Sequence, residues 1–79
     1  MSRFVLHVDG GPDEVIEAPT VAQAKCEAVR FAGQLICNFA DKFWDTAAFS
    51  MTVTDSDGLV LFTLQFVGTE AAAIRGTAR

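Results

Sequence analysis

Basic residues are scarce in this 79-residue sequence, and they are scattered along it. Six lysines and arginines stand against ten aspartates and glutamates, for a formal net charge of −4 with the single histidine taken as neutral. A nucleic-acid-binding protein usually carries a basic stripe, because its affinity comes largely from neutralising phosphates. We therefore expect no binding to nucleic acid, and the same charge argument disfavours an anionic membrane surface.

Long apolar runs are missing as well. The longest stretch without a charge, from Gly58 to Thr69, has 12 residues, whereas a helix needs about 18 or more apolar residues to span a bilayer. Near the amino end, His7 and Asp9 interrupt the apolar residues before the core of a signal peptide is complete. The sequence thus predicts no membrane segment and no export signal, and we expect a cytoplasmic location.

The chain is too short for two ordinary domains, which take about 100–150 residues each, and with 51% hydrophobic residues it is too apolar to be disordered. A fold this small buries only about 60% of its unfolded surface, so self-association would stabilise it. We expect one domain over residues 1–67, followed by a tail, residues 68–79, that is partly disordered or forms a short helix.

Alternating apolar and polar residues predict two β-hairpins. The predicted strands are Arg3–Asp9 and Glu14–Ala18 in the first hairpin, and Phe49–Thr54 and Leu59–Val67 in the second. The glutamates that flank the second strand are typical of a sheet edge. In the second turn, Asp55 and Asp57 offer the oxygen ligands of a calcium loop but lack its twelve-residue frame. We therefore interpret them, with Gly58, as turn residues.

Between the hairpins the apolar period changes to 3.6, which predicts one helix from Val21 to Phe43. Thr20 and Gln23 match a capping box at its start. At 1.5 Å per residue this helix would be about 34 Å long, whereas a seven-residue strand spans about 23 Å. We therefore expect it to overhang the sheet or to bend near Gly33 or Asn38, and we expect a loop over residues 45–48.

The order of elements predicts an α+β fold of two layers, with one long helix packed on a four-stranded, mainly antiparallel sheet (ββαββ). The small residues Ala24 and Ala28 allow the start of the helix to lie close to the sheet, and Phe39 and Phe43 are expected to close the end of the core. The strand order stays open, because the crossover helix can place the third strand beside the first or outside it.

A single helix covers one face of a sheet, so the second face is a candidate interaction surface. This face can stand in water, as antiparallel sheets often do, or pack on a second copy of the chain. Trp44, at the end of the overhanging helix, is a further candidate contact. The expected members of the face are Val5, His7, Thr52, Thr54, Leu61 and Thr63, with either Val15 or Ile16.

No pattern of catalytic or metal-ligating residues is present. His7 is the only histidine, whereas a metal site takes three or four ligands, so we expect no metal, no cofactor and no catalytic group. Cys26 and Cys37 are eleven residues, or about 16 Å, apart along the predicted helix, too far for a disulfide. Free thiols fit a reducing compartment. Either thiol can be redox-responsive, with Arg30 near Cys26, or an inert residue at the core boundary.

Three segments carry a family resemblance. The chain opens with Met-Ser-Arg-Phe-Val-Leu-His followed by Asp9-Gly10, its helix contains Ala24-Lys25-Cys26-Glu27-Ala28, and the second hairpin covers residues 53–66. Together they resemble a family of small uncharacterised bacterial proteins, a domain of unknown function of about 80 residues with the order strand-strand-helix-strand-strand. The resemblance covers roughly residues 1–66. It implies the same fold in a bacterial cytoplasm and assigns no catalytic residue.

Two functions follow as predictions. The first is a non-enzymatic protein-interaction or self-associating module, which forms a homodimer or binds an unidentified protein partner. The alternative is a thiol-based redox or stress-responsive protein that uses Cys26 or Cys37 across a dimer.

Overall fold

The computed structural model of the protein describes residues 2–75 and confirms the predicted α+β architecture. Its elements are β1 (Ser2–Val8), β2 (Asp13–Ala18), α1 (Val21–Asn38), α2 (Ala40–Thr46), β3 (Ala48–Asp55), β4 (Val60–Val67) and α3 (Ala72–Arg75). The short helix α3 falls within the predicted tail. The first residue of the predicted domain and the last four of the tail, residues 76–79, lie outside the described residues.

The four strands form one sheet in the order β2-β1-β3-β4, and every neighbouring pair is antiparallel. The third strand therefore lies beside the first, which settles the alternative that the sequence left open. The two edges differ in charge. The β2 edge carries Asp13, Glu14 and Glu17, as its sequence predicts, whereas β4 has no charged residue at all.

The register places the large apolar side chains of the central strands in one row beneath α1. Leu6 stands opposite Val53 and Val8 stands opposite Met51, and Leu6, Met51 and Val53 are the largest side chains that are fully buried. Because side chains alternate along a strand, their neighbours point to the second face of the sheet. The core is therefore built from β1 and β3, the two inner strands.

Helix α1 begins at the predicted cap, where the backbone N–H of Gln23 donates to Oγ1 of Thr20 at 3.1 Å. Ala24, Ala28 and Ala32, spaced one turn apart, are all fully buried. Methyl side chains at these positions let the helix backbone approach the sheet closely, and α1 lies nearest to β2 and then β3. The helix backbone thus comes closest to the sheet at β2 and β3 rather than at β4.

The prediction of a single helix from Val21 to Phe43 is wrong. At Phe39 the backbone adopts φ −122° and ψ 42°, which ends α1 at Asn38 and starts α2. The break lies near one of the two expected bends. Its physical reason is length, because the apolar stripe continues where the sheet no longer extends beneath it. The prediction of a loop over residues 45–48 is wrong for the same reason, since α2 runs to Thr46 and β3 starts at Ala48.

The helix break also changes which residues lie at the end of the core. Phe39 is 57% exposed, so the expectation that it closes the core is wrong, whereas Phe43 is half-buried.

The predicted turn of the second hairpin is confirmed. One carboxylate oxygen of Asp55 accepts from the N–H groups of Asp57 and Leu59 at 2.8 and 2.9 Å, and Gly58 adopts a positive φ of 92°.

The alanine stripe gives a direct test of the close helix–sheet contact. We expect Ala28→Leu to lower the free energy of unfolding by about 1–3 kcal/mol, because the added carbons must push the helix away from the sheet. Chemical denaturation monitored by circular dichroism measures the change. Ala22→Leu, at an exposed position on the same helix, is the matched control and should change stability by less than about 0.5 kcal/mol. Equal stabilities of the two variants would contradict the packing described here.

Candidate functional site

The second face of the sheet carries the side chains that the sequence assigned to it. The register places Val5 opposite Thr54, His7 opposite Thr52, and Thr52 opposite Thr63. Val15, rather than Ile16, joins this face, because Ile16 pairs with the buried Phe4. Its side chains are half-buried or exposed except for Thr54, so the face is open to solvent.

His7 connects three strands on this face through two side-chain contacts. Its Nδ1 lies 3.1 Å from a carboxylate oxygen of Asp13 on β2, and its Nε2 lies 3.0 Å from Oγ1 of Thr54 on β3. Thr54 is only 6% exposed and is the one polar residue buried among the described residues. The imidazole therefore supplies the partner that a buried hydroxyl needs.

The order carboxylate–imidazole–hydroxyl is also that of hydrolase triads. A nucleophile must be accessible to its substrate, however, and Thr54 is only 6% exposed. The three groups are thus arranged to hold β2, β1 and β3 together. The sequence placed Thr54 on this face but did not show Asp13 as a member of the site, because the meeting of both residues at His7 depends on the strand order and register.

The β4 side of the sheet exposes a continuous uncharged surface. We call it the β4 surface, and it includes the exposed aliphatic residue Val67, at 77%, and Leu61, at 37%. The β4 surface consists of Leu59, Val60, Leu61, Thr63, Gln65 and Val67. Only Leu61 and Thr63 among these residues were identified from the sequence. The other four lie in the charge-free stretch from Gly58 to Thr69, which is the sequence feature that could have revealed them.

Trp44 lies on α2 at the end of β4 rather than among the residues of the second face. Its ring packs edge-on against Phe43, with centroids 5.4 Å apart. It also approaches Gly68, where an added Cβ would lie 2.6 Å from an indole carbon, and the N–H of Gly68 donates to the carbonyl of Ala47 at 2.8 Å. The half-exposed indole therefore borders the end of the β4 strand.

An apolar groove of about 310 Å³ opens between the end of α1, α2 and the turn that joins β1 to β2. Leu35, Ile36 and Phe39 line it from the helices, and Phe49 lines it from β3. Lys42 and Asp9 contribute one charge of each sign to its lining. Phe39, where α1 ends and α2 starts, belongs to this lining, so the shape of the groove depends on the position of the helix break, which the apolar period does not show.

Both thiols lie on α1 and are exposed, so the interpretation of them as core-boundary residues is wrong. Arg30 donates to a carboxylate oxygen of Glu27 at 2.8 Å and is thus engaged by an acidic partner.

Among the described residues, no group of three or more His, Cys, Asp or Glu side chains is placed to hold a metal ion. Within the same part of the chain, no helix has the length and hydropathy to cross a membrane.

These features define a two-layer α+β domain of the order ββααββ, in which helices cover one face of the sheet and the other face is open. The chain belongs to the family described as a domain of unknown function, DUF6894, whose model matches residues 3–67. The match includes all four strands with α1 and α2 and leaves out α3, in agreement with the resemblance found in the sequence. No curated protein and no solved structure matches the chain.

A double-mutant cycle tests the role of His7. We expect His7→Ala to destabilise the fold by about 1–3 kcal/mol, because it leaves the buried Thr54 hydroxyl without a partner, and Thr54→Val to cost about 1 kcal/mol or less. The double variant should lose less than the sum of the two. Urea denaturation gives the three values. Thr63→Val, on the exposed β4 strand, is the control and should be additive with His7→Ala. Additivity of Thr54→Val would contradict the network.

Proposed function

We propose that the protein is a non-enzymatic interaction module that self-associates through the β4 surface. The observation that carries this proposal is the exposure of aliphatic side chains on a surface without charge, with Leu59, Val60 and Val67 all more than half exposed. Exposed aliphatic residues lie at both ends of β4, with Thr63 and Gln65 between them, and exposed apolar surface on a small protein often marks a contact with another chain. The surface is continuous with the open sheet face that the sequence singles out.

The size of the core supports self-association. Among the described residues the buried apolar set has eight members, of which four are alanines. Only Leu6, Met51 and Val53 are large and fully buried, and seven further apolar side chains that pack against this core are only partly buried. A domain of this size commonly gains further stability by burying surface against another chain.

The chemistry of the side chains supports a non-enzymatic role. General acid–base catalysis needs a titratable group within hydrogen-bond reach of a substrate. His7 is the only histidine in the chain, and the hydroxyl in contact with its Nε2 belongs to Thr54, which is only 6% exposed.

A thiol-based redox response is the second candidate function, and the exposure of Cys26 and Cys37 favours it. Peroxide would remove one electron and one proton from a thiol of each of two copies, which makes two electrons and two protons in all. The two sulfurs would form a disulfide bond, and the peroxide would leave as two molecules of water. This candidate needs a contact through α1, because both thiols lie on that helix.

Sedimentation in the presence of reductant tests the first proposal. We expect the mass to rise from 8.5 kDa toward twice that value as the concentration increases through the micromolar range. Leu61→Lys should oppose association, because it places a charge within the β4 surface. Val29→Lys, which replaces an exposed aliphatic residue on α1, is the matched control and should associate like the parent chain. A mass of 8.5 kDa at every concentration would rule out self-association.

A non-reducing gel separates the two candidates. If self-association through β4 is the function, peroxide leaves the protein at its monomer position on the denaturing gel, because α1 of one copy does not meet α1 of the other. If the thiol function holds, peroxide produces a disulfide-linked dimer that is lost in either Cys26→Ser or Cys37→Ser. A peroxide-dependent dimer that persists in both single variants and disappears in the double variant would show that either thiol can serve.

A further inference from the structure

We infer that a second copy of this chain pairs with the β4 edge in antiparallel orientation across a two-fold axis, so that the two four-stranded sheets form one sheet of eight strands. This inference rests on the proposed self-association and specifies its contact as backbone pairing at an edge. It excludes the alternative contact, in which the open sheet face of one copy packs on the open sheet face of the other.

The backbone directions of β4 follow from its hydrogen bonds. The N–H of Gly68 points toward β3, because it donates to the carbonyl of Ala47 at 2.8 Å. The direction of backbone groups alternates along a strand, so the N–H and C=O groups of Leu64 and Phe66 also point toward β3. Those of Thr63, Gln65 and Val67 therefore point outward.

The other strands agree with this assignment. The N–H of Asp9 donates to the carbonyl of Ser50 at 3.2 Å, so Ser50 points toward β1. Its neighbours Phe49 and Met51 then point toward β4, where the register pairs them with Phe66 and Leu64. Since β4 is an outermost strand within residues 2–75, the outward groups of Thr63, Gln65 and Val67 face a free edge.

The two edges of the sheet are not equally open to pairing. The β2 edge is flanked by Pro12 and Pro19 and carries three carboxylates, which are the features that protect an edge from a second strand. Two copies with a net charge of −4 each would repel one another most strongly there. The β4 edge has eight residues with no charge and no proline. A strand with these properties is a template for strand addition.

A second copy of the chain can pair with all of these outward groups. If Gln65 stands opposite Gln65 of the second copy, Thr63 stands opposite Val67 of the second copy, and all three outward residues of each chain find a partner. The match follows from the two-fold axis alone, because the three residues are evenly spaced about Gln65. Each matched pair in an antiparallel ladder exchanges two hydrogen bonds.

The helix side of β4 gains from the same arrangement. Phe62, Leu64 and Phe66 point to the α1 face but are only half-buried, and the backbone of α1 comes closest to β2 and β3 rather than to β4. Phe66 contacts Phe49 at a centroid distance of 6.0 Å, and the Lys25 ammonium lies 5.8 Å from the Phe62 ring. A paired strand about 4.8 Å away would place the same three apolar side chains of the second copy beside them.

Proline substitutions at the two edges test the inference. Gln65→Pro removes an outward N–H that β3 does not use and places a ring at the edge, so the monomer keeps its ladder. We expect it to raise the dissociation constant of the dimer by about tenfold or more, because both copies lose a hydrogen bond there. Val15→Pro removes an outward N–H from the β2 edge and is the matched control, with a dissociation constant close to that of the parent chain.

Amide hydrogen exchange of the unmodified chain gives an independent measurement that does not depend on the folding of a variant. Raising the concentration should slow exchange at Thr63, Gln65 and Val67, while the outward amides of Val15 and Glu17 exchange at an unchanged rate. If the protein dimerises but these three amides stay unprotected and Gln65→Pro has no effect, edge pairing is wrong and self-association stands. If the parent chain never exceeds 8.5 kDa, both proposals fail together.

Discussion

The close contact between the alanine stripe of α1 and the sheet determines which surfaces of this protein remain open. Ala24, Ala28 and Ala32 are fully buried, and a helix held this close to the sheet covers only a limited width. Its backbone comes closest to the sheet at β2 and β3, and it leaves the second face open. The partial burial of the phenylalanines of β4 agrees with this placement.

Local sequence patterns were sufficient for most elements of the fold. The alternation in residues 49–54 predicted β3, Thr20 predicted the helix start, and Asp57-Gly58 predicted the turn between β3 and β4. The lengths of the helix and the strands led us to expect an overhang or a bend near Gly33 or Asn38. The position of the break at Phe39 could not be predicted from local pattern, because the apolar period continues through Phe43 without interruption.

Part of the candidate site could likewise be predicted from the sequence, and part of it could not. Val5, His7 and Thr63 could be placed on the second face from strand periodicity alone. The meeting of Asp13 and Thr54 at the imidazole of His7 needs the pairing of three strands in a fixed register. The importance of β4 likewise depends on its position at the edge. The sequence shows that the strand is uncharged, but only the strand order shows that its backbone groups are unpaired on one side.

We propose that this chain meets another copy of itself at the β4 edge, which has no neighbouring strand among the described residues. A crystal structure of the concentrated protein is the sharpest test of this edge pairing. We expect one continuous sheet of eight antiparallel strands, with Gln65 near the two-fold axis and the carboxylates of β2 at both outer edges. A structure in which the β4 edge faces solvent, or in which the two copies meet through the β2 edge, would contradict it.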